Sequence, residues 1–205
     1  MPSDPSRRAE PAREEKPGDP DASREARSVV LVGARGAGKT TVGRTLASRT
    51  GRRFVDCDAE IEKRESATVR EIFVRHGEPR FREVESDVLA GVLEEADRDP
   101  CIVSTGGGAV LDAGNRRAMR DAGFVVYLAA DAATLAERVR ADATSAEGRP
   151  PLTDRSIDEE MALVLERRQA LYLEVADAVV ETAHRGVEPI VEEIIQRSAV
   201  RAAGD

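Results

Sequence analysis

Eight consecutive residues, Gly33-Ala-Arg-Gly36-Ala37-Gly38-Lys39-Thr40, satisfy every fixed position of G-x-x-x-x-G-K-[ST]. Glycines at this spacing let backbone N–H groups turn inward around a phosphate. A helix starting at Lys39 adds the partial positive charge of its N-terminus. Lys39 would bridge the β- and γ-phosphates of a nucleotide, and the Thr40 hydroxyl would bind Mg²⁺. The basic residues of the chain are 28 Arg and only three Lys, at 16, 39 and 63. One of those three stands where this chemistry requires a lysine.

A second group follows at Asp56-Cys57-Asp58, two carboxylates at the end of a short apolar run. At the carboxyl end of a strand, where open α/β sheets place their sites, one could hold Mg²⁺ through water while the other orients or deprotonates an attacking hydroxyl. A helix cap and a surface acid would account for the pair equally well. Gly106-Gly107-Gly108 after another apolar run could offer N–H groups to an anion or permit close approach of a ligand.

The elements that must position these groups alternate along the chain. Ser28-Val-Val-Leu-Val-Gly33 reads as a buried parallel strand feeding a helix from Lys39 to about Arg49. Arg53 to Asp56 reads as a second strand, with Asp58 expected to cap the next helix. Thr68-Val-Arg-Glu71 has the form of a capping box, so a helix should run to about His76 and close at Gly77. Glu78 to about Asp97 carries apolar residues at helical spacing. Strands follow at Cys101–Ser104, Gly123–Leu128 and Ala178–Glu181. Helices are expected near Asn115–Asp121, from Asp131 to about Arg140, over Glu159–Val175 and from Val187 to about Ala199. Five strands separated by helices predict a three-layer α/β domain with a five-stranded parallel sheet. The polar stretch from Ala141 to about Ile157 has the length of a functional loop and is expected to be a lid.

Composition narrows the partners. The net charge of −8 argues against non-specific binding to nucleic acid or an anionic membrane surface. No apolar run approaches the roughly 20 residues of a membrane span. Two cysteines and no signal-peptide pattern point to a reducing cytoplasm. Residues 2–27 contain five of the ten prolines, seven acidic and six basic residues, and no Val, Ile, Leu, Phe or Tyr. Such a segment cannot bury enough apolar surface to offset its ordering entropy, so residues 1–27 are expected to be a disordered tail, 28–199 the domain and 200–205 a flexible end.

Several blocks together resemble the shikimate kinase family: Gly33–Thr41, Phe54-Val-Asp56-Cys-Asp58, Gly77-Glu78-Pro-Arg-Phe81-Arg82-Glu-Val-Glu85, Gly106–Gly108, Arg149-Pro150, Arg168-Gln-Ala-Leu-Tyr172 and Ala176-Asp177. They occur in order over about Ser28 to Ser198. The resemblance implies an adenylate-kinase-like P-loop fold with a helical substrate-binding region between the second and third strands. It implies transfer of the ATP γ-phosphoryl to the 3-hydroxyl of shikimate, with ATP and Mg²⁺ required and a monomeric enzyme. Carried over by residue, Gly33, Gly36, Ala37, Gly38, Lys39, Thr40 and Thr41 would bind ATP, and Thr40 with Asp56 the Mg²⁺. Asp58 would act on the 3-hydroxyl. Arg82, Arg168 and Gly106, Gly107 and Gly108 would hold the substrate, with Glu85 orienting Arg82; guanidinium forks pair bidentately with a carboxylate. Arg149 would arrive with the lid and neutralise charge on the phosphoryl group. Arg140 and Pro189 would sandwich the adenine.

Two departures stand out: Arg149-Pro150-Pro151-Leu152 where the family shows Arg-Pro-Leu-Leu, with extra residues before it, and a residue near Ser66 where the family has glycine. Two other readings remain open at this level. One is a kinase of gluconate, a nucleoside or another polyol, which the paired Arg82 and Arg168 disfavour. The other is a silent, ligand-sensing domain, disfavoured because Lys39, Asp58 and Arg149 are all present. Deleting residues 1–27 is expected to leave kcat almost unchanged in a coupled ADP-release assay; a large loss would give the tail a part in catalysis.

Overall fold

Residues 29–32 are buried on both faces of the chain, as a central parallel strand demands. The computed structural model describes residues 27–142 and 156–202. The expected tail up to residue 26, most of the expected lid with Arg149, and residues 203–205 lie outside the described residues.

Five strands form one sheet: β1 (Ser28–Val32), β2 (Phe54–Asp56), β3 (Ile102–Ser104), β4 (Gly123–Ala129) and β5 (Ala178–Glu181). Their order is β2-β3-β1-β4-β5 and every pairing is parallel. All five carboxyl ends therefore share one edge, with the end of β1 at its middle. The described helices are α1 (Lys39–Thr50), α2 (Cys57–Glu65), α3 (Val69–Arg98), α4 (Ala113–Ala122), α5 (Ala132–Ala141), α6 (Ile157–Val175) and α7 (Val187–Ala202), with a short 3₁₀ turn at Ala109–Leu111.

The side-chain alternation of β1 and β4 sorts the core into two layers. Val29, Leu31, Val126 and Leu128 face Val42, Leu46, Leu135, Val191 and Ile194 on one side. Val30, Val32, Val125 and Tyr127 face Leu89, Leu93, Met119, Tyr172 and Val175 on the other. Ile61, Val69, Ile72, Phe81, Val84 and Val88 form a smaller core of their own between α2 and α3. α2 and α3 thus pack against each other as well as against the sheet.

Local chemistry sets the helix ends. Thr68 and Glu71 form the expected capping box of α3. Gly77 breaks that helix at φ 76°, ψ 172°, and Pro79 follows in the first turn of the second half, where its missing N–H costs nothing. Asp58 is not the cap of α2. β2 carries extended backbone as far as Asp56, so Asp56 occupies the cap and its carboxylate accepts from the Asp58 N–H. α6 begins two residues before the expected Glu159, at a second capping box made by Ser156 and Glu159. α7 continues to Ala202, past the expected end at Ala199, so residues 200–202 extend a helix. Ser66 ends α2 at φ 49°, in the left-handed region, a backbone shape that is costly for a residue with a side chain.

Gly43 lies where α1 crosses the sheet. A Cβ there would stand 2.4 Å from a Phe54 ring carbon and 3.2 Å from Leu31 Cδ1. Overpacking of this kind costs about 1–3 kcal/mol, against a helix-propensity gain of about 1 kcal/mol. Gly43→Ala is therefore expected to lower the thermal midpoint, as read by circular dichroism.

Candidate active site

The turn after β1 is shaped by glycines at positive φ: Gly33 at 147°, Gly36 at 81° and Gly38 at 91°. Gly38 precedes α1 without a side-chain cap, and the first turn of α1 holds no acidic residue. The first N–H groups of α1 and its dipole are left for an anion. The Lys39 ammonium lies over the turn, donating to the carbonyls of Gly33 at 2.9 Å and Ala34 at 3.0 Å. Those bonds fix Nζ within the loop that would enclose the phosphates.

The Thr40 hydroxyl donates to Asp56 Oδ2 at 2.8 Å, and Asp56 Oδ1 accepts from the Asp58 N–H at 3.1 Å. One carboxylate thus ties α1, the end of β2 and the start of α2 together. These two groups fit Mg²⁺, an ion that takes one or two protein oxygens and completes its octahedron with phosphate and water. Among the described residues no cluster of three or more His, Cys, Asp or Glu could hold a metal alone. Thr40 and Asp56 would accordingly share the ion with a bound nucleotide.

A cleft of about 760 Å³ runs over this turn and includes Gly36, Ala37, Gly38, Lys39, Thr40, Thr41, Asp56 and Asp58 in its walls. Its far wall differs from the sequence-based expectation. Arg140 is exposed and pairs with Asp158 at the start of α6. Arg138 takes the place in the cleft, because it is two residues earlier on α5 and so on another face of the helix. It donates to Gly36 O at 3.3 Å, Thr182 Oγ1 at 3.0 Å and Thr182 O at 2.6 Å. Pro189 is exposed, and its neighbours Val187 and Ile190 line the cleft instead. Arg138 and Thr182 carry no sequence signal that would separate them from the other arginines and threonines; their pairing across 44 positions exists only in the fold.

The triple glycine after β3 is hemmed in by α3 and α6. Arg82 Nη1 pairs with Glu85 Oε2 at 2.6 Å, while Arg82 Nη2 reaches Glu78 Oε1 at 2.9 Å. Glu85 is 2% exposed. Burial pulls the Arg82 pKa down, but the Glu85 and Glu78 carboxylates outweigh it and leave the guanidinium more firmly charged than usual. A Cβ on Gly108 would meet Arg82 Nη1 at 2.1 Å, and one on Gly106 would meet Glu85 Oε1 at 2.2 Å and Asp58 Oδ1 at 3.2 Å. Side chains are therefore excluded here so that Asp58, Glu85 and Arg82 can close in on the loop. From α6, Arg168 Nη1 donates to the Gly107 carbonyl at 3.2 Å and the Tyr172 hydroxyl to the same oxygen at 2.6 Å. Arg82, Arg168, Gly107 and Gly108 line one small cavity with Phe73 and Phe81, two guanidinium groups against aromatic walls. Arg35 belongs to both this cavity and the larger cleft.

Two residues outside these roles are placed by the same elements. Cys57 is buried beside Asp56, Asp58 and Glu85; burial first, then those charges, push its thiol pKa well up, so it packs as an inert thiol. Asp177 accepts from the Val125 N–H at 2.8 Å and joins α6 to β4, a structural role for the Ala176-Asp177 block.

A phosphoryl donor and a small anionic acceptor can be held side by side at this edge of the sheet, which makes the protein a P-loop kinase of small molecules. The sequence profile of the shikimate kinase family matches residues 35–199. A shikimate kinase of Cereibacter sphaeroides is 43% identical over 85% of this chain and 84% of its own length. Shikimate kinase 2 of Pectobacterium carotovorum is 43% identical over 85% of this chain and 98% of its own. The structure of an Acinetobacter baumannii shikimate kinase in complex with shikimate superposes with a TM-score of 0.78 at 36% identity, over 86% of this chain and 94% of that one. A Sinorhizobium meliloti gluconokinase, at TM-score 0.57 and 22% identity, shares the fold alone. The chain belongs to the shikimate kinase family.

Gly108→Ala tests the arginine pocket. The added methyl must displace the Arg82 guanidinium from Glu85 and Glu78, so the KM for a carboxylate-bearing acceptor is expected to rise about tenfold or more while the KM for ATP holds. An unchanged acceptor KM would show that Arg82 does not form part of the acceptor site.

Proposed function

We propose that the protein transfers the γ-phosphoryl group of Mg²⁺-ATP to the 3-hydroxyl of shikimate, giving shikimate 3-phosphate and ADP on the route to chorismate and the aromatic amino acids. The observation that carries this reading is the convergence of Asp58 from α2, Arg82 from α3 and Arg168 from α6 on the Gly106–Gly108 loop, at the same sheet edge as the Lys39 turn. A carboxylate on a rigid ring suits two planar guanidinium groups, which neither a neutral sugar nor a nucleoside would engage.

In this reading the Gly33–Thr41 turn holds the ATP phosphates, with Lys39 leaving the Gly33 and Ala34 carbonyls to reach them. Mg²⁺ held by Thr40 and Asp56 would supply neutralisation of the charge on the β- and γ-phosphates. Arg82 and Arg168 grip the shikimate carboxylate, and Glu85 keeps Arg82 in register. The ring hydroxyls then face Asp58. As the 3-oxygen forms its bond to the γ-phosphorus and the bond to the ADP oxygen breaks, the Asp58 carboxylate takes the hydroxyl proton. Arg149 is assigned to the transferring group by its place in the Arg149-Pro150 block. Arg138 and the Val187–Ile190 wall face the adenosine end of the cleft. We infer a cytoplasmic monomer; among the described residues no helix is long and apolar enough to cross a membrane.

The test is ADP release with Mg²⁺-ATP, comparing shikimate, gluconate and a set of nucleosides, with phosphate release in water as the control. ADP release is expected with shikimate and not with the others; release with another acceptor overturns the assignment. Asp58→Asn is expected to lower kcat by at least about 10²-fold while ATP affinity holds, since its partner is the acceptor proton. Loss of ATP binding with kcat retained would contradict that role.

A further inference from the structure

The Gly107 carbonyl accepts two hydrogen bonds from one face of α6: the Tyr172 hydroxyl at 2.6 Å and Arg168 Nη1 at 3.2 Å. Residues four apart on a helix project from the same side, so the two donors stand together over one peptide group. Tyr172 has no exposed surface, and its ring stacks on Tyr127 of β4 at a centroid distance of 5.0 Å and an interplanar angle of 22°. The hydroxyl is therefore held in place by the core on the sheet side and by the loop on the other. In a trans peptide the C=O of one residue and the N–H of the next point in opposite directions. Holding the Gly107 carbonyl toward α6 turns the Gly108 N–H away from it, while Arg82 closes on the Cβ position of Gly108.

We propose that Tyr172 is a positioning residue for acceptor binding: its hydroxyl anchors the Gly107–Gly108 peptide so that the loop presents its N–H to the substrate carboxylate, and it takes the better share of the Gly107 carbonyl so that the Arg168 fork stays available to the same carboxylate. This inference rests on the reading of the site as a shikimate kinase and deepens it. Glycine makes the anchor necessary. Residues 106–109 form a turn closed by the Ala109 N–H on the Gly106 carbonyl at 3.1 Å, and with glycine at both central positions that closure leaves the flip of the Gly107–Gly108 peptide open. Burial drives the Tyr172 pKa up to about 12, so the hydroxyl keeps its proton and remains a donor throughout the working range of the enzyme. The Gly107 carbonyl is left to Arg168 alone when the hydroxyl is removed. The guanidinium then moves toward it, away from the cavity it shares with Arg82.

The experiment compares wild type, Tyr172→Phe and Tyr127→Phe, each with melting curves and with separate KM values for shikimate and ATP. Tyr172→Phe keeps the stacked ring and removes only the donor. Its KM for shikimate is expected to rise about tenfold, with the KM for ATP within about twofold of wild type. Tyr127→Phe keeps the other half of the stack, touches no glycine of the loop, and is expected to leave both KM values unchanged. A Tyr172→Phe enzyme that folds normally with an unaltered shikimate KM overturns the inference. So does one in which both KM values rise together or Tyr127→Phe has the same effect, since a packing role alone would explain either. Absence of shikimate turnover in the wild type overturns the functional reading itself, and this inference with it, and is distinguished by the wild-type arm.

Discussion

A buried carboxylate sets the geometry around the triple-glycine loop. Glu85 lies beneath the Gly106–Gly108 loop almost without solvent, and an ion so placed is tolerable only when paired at close range. Arg82 supplies the pair at 2.6 Å, and Glu78 takes the other side of the guanidinium. The geometry then propagates. Arg82 and Glu85 occupy the space that side chains at 106 and 108 would need, which favours glycine at those two positions. The loop is closed by the Ala109 N–H on the Gly106 carbonyl, and the orientation of its central peptide is set by neighbours, α3 on one side and the Arg168 and Tyr172 donors of α6 on the other.

The donor side works by a different economy. A turn whose glycines sit at positive φ exposes N–H groups that an L side chain would turn away, and an uncapped helix start leaves its dipole unanswered. Asp56 is the hinge between the two halves: it receives the Thr40 hydroxyl, caps α2, and so sets the position of Asp58 in the first turn of that helix. The two carboxylates of Asp56-Cys57-Asp58 are thereby given separate surroundings. One points back to the phosphate turn and the other forward to the triple glycine. The parallel sheet brings the two halves together, since it places every strand's carboxyl end on one edge.

Much of this was legible in the chain, and the boundary between what was and was not follows chemical lines. The phosphate turn, the five apolar runs, the Thr68–Glu71 box and the break at Gly77 are local: each depends on the φ/ψ preferences and hydrogen-bonding reach of residues within a few positions of one another. The assignment of a cap to Asp58 failed at the same scale, because Asp56 and Asp58 are chemically equal candidates and α2 begins at Cys57, directly after β2, which leaves only Asp56 with the extended backbone of a cap. Arg140 lies away from the cleft for a different reason. Arg138 and Arg140 are both arginines near one helix end, and the choice depends on which face of α5 meets Thr182 and Gly36, 44 and 102 positions away.

By itself the sequence determined the class of fold, the phosphate-binding turn and the family, because apolar periodicity, glycine placement and the ordered motif blocks are written in residue types and short spacings. The tertiary structure alone decided which arginine enters the cleft over the Gly33–Thr40 turn, that Glu85 is buried against the glycine loop, and that one carbonyl of that loop is held by Tyr172 and Arg168. Those are relations between segments 20 to more than 100 residues apart, brought together only when both faces of the parallel sheet are covered and its carboxyl edge is assembled.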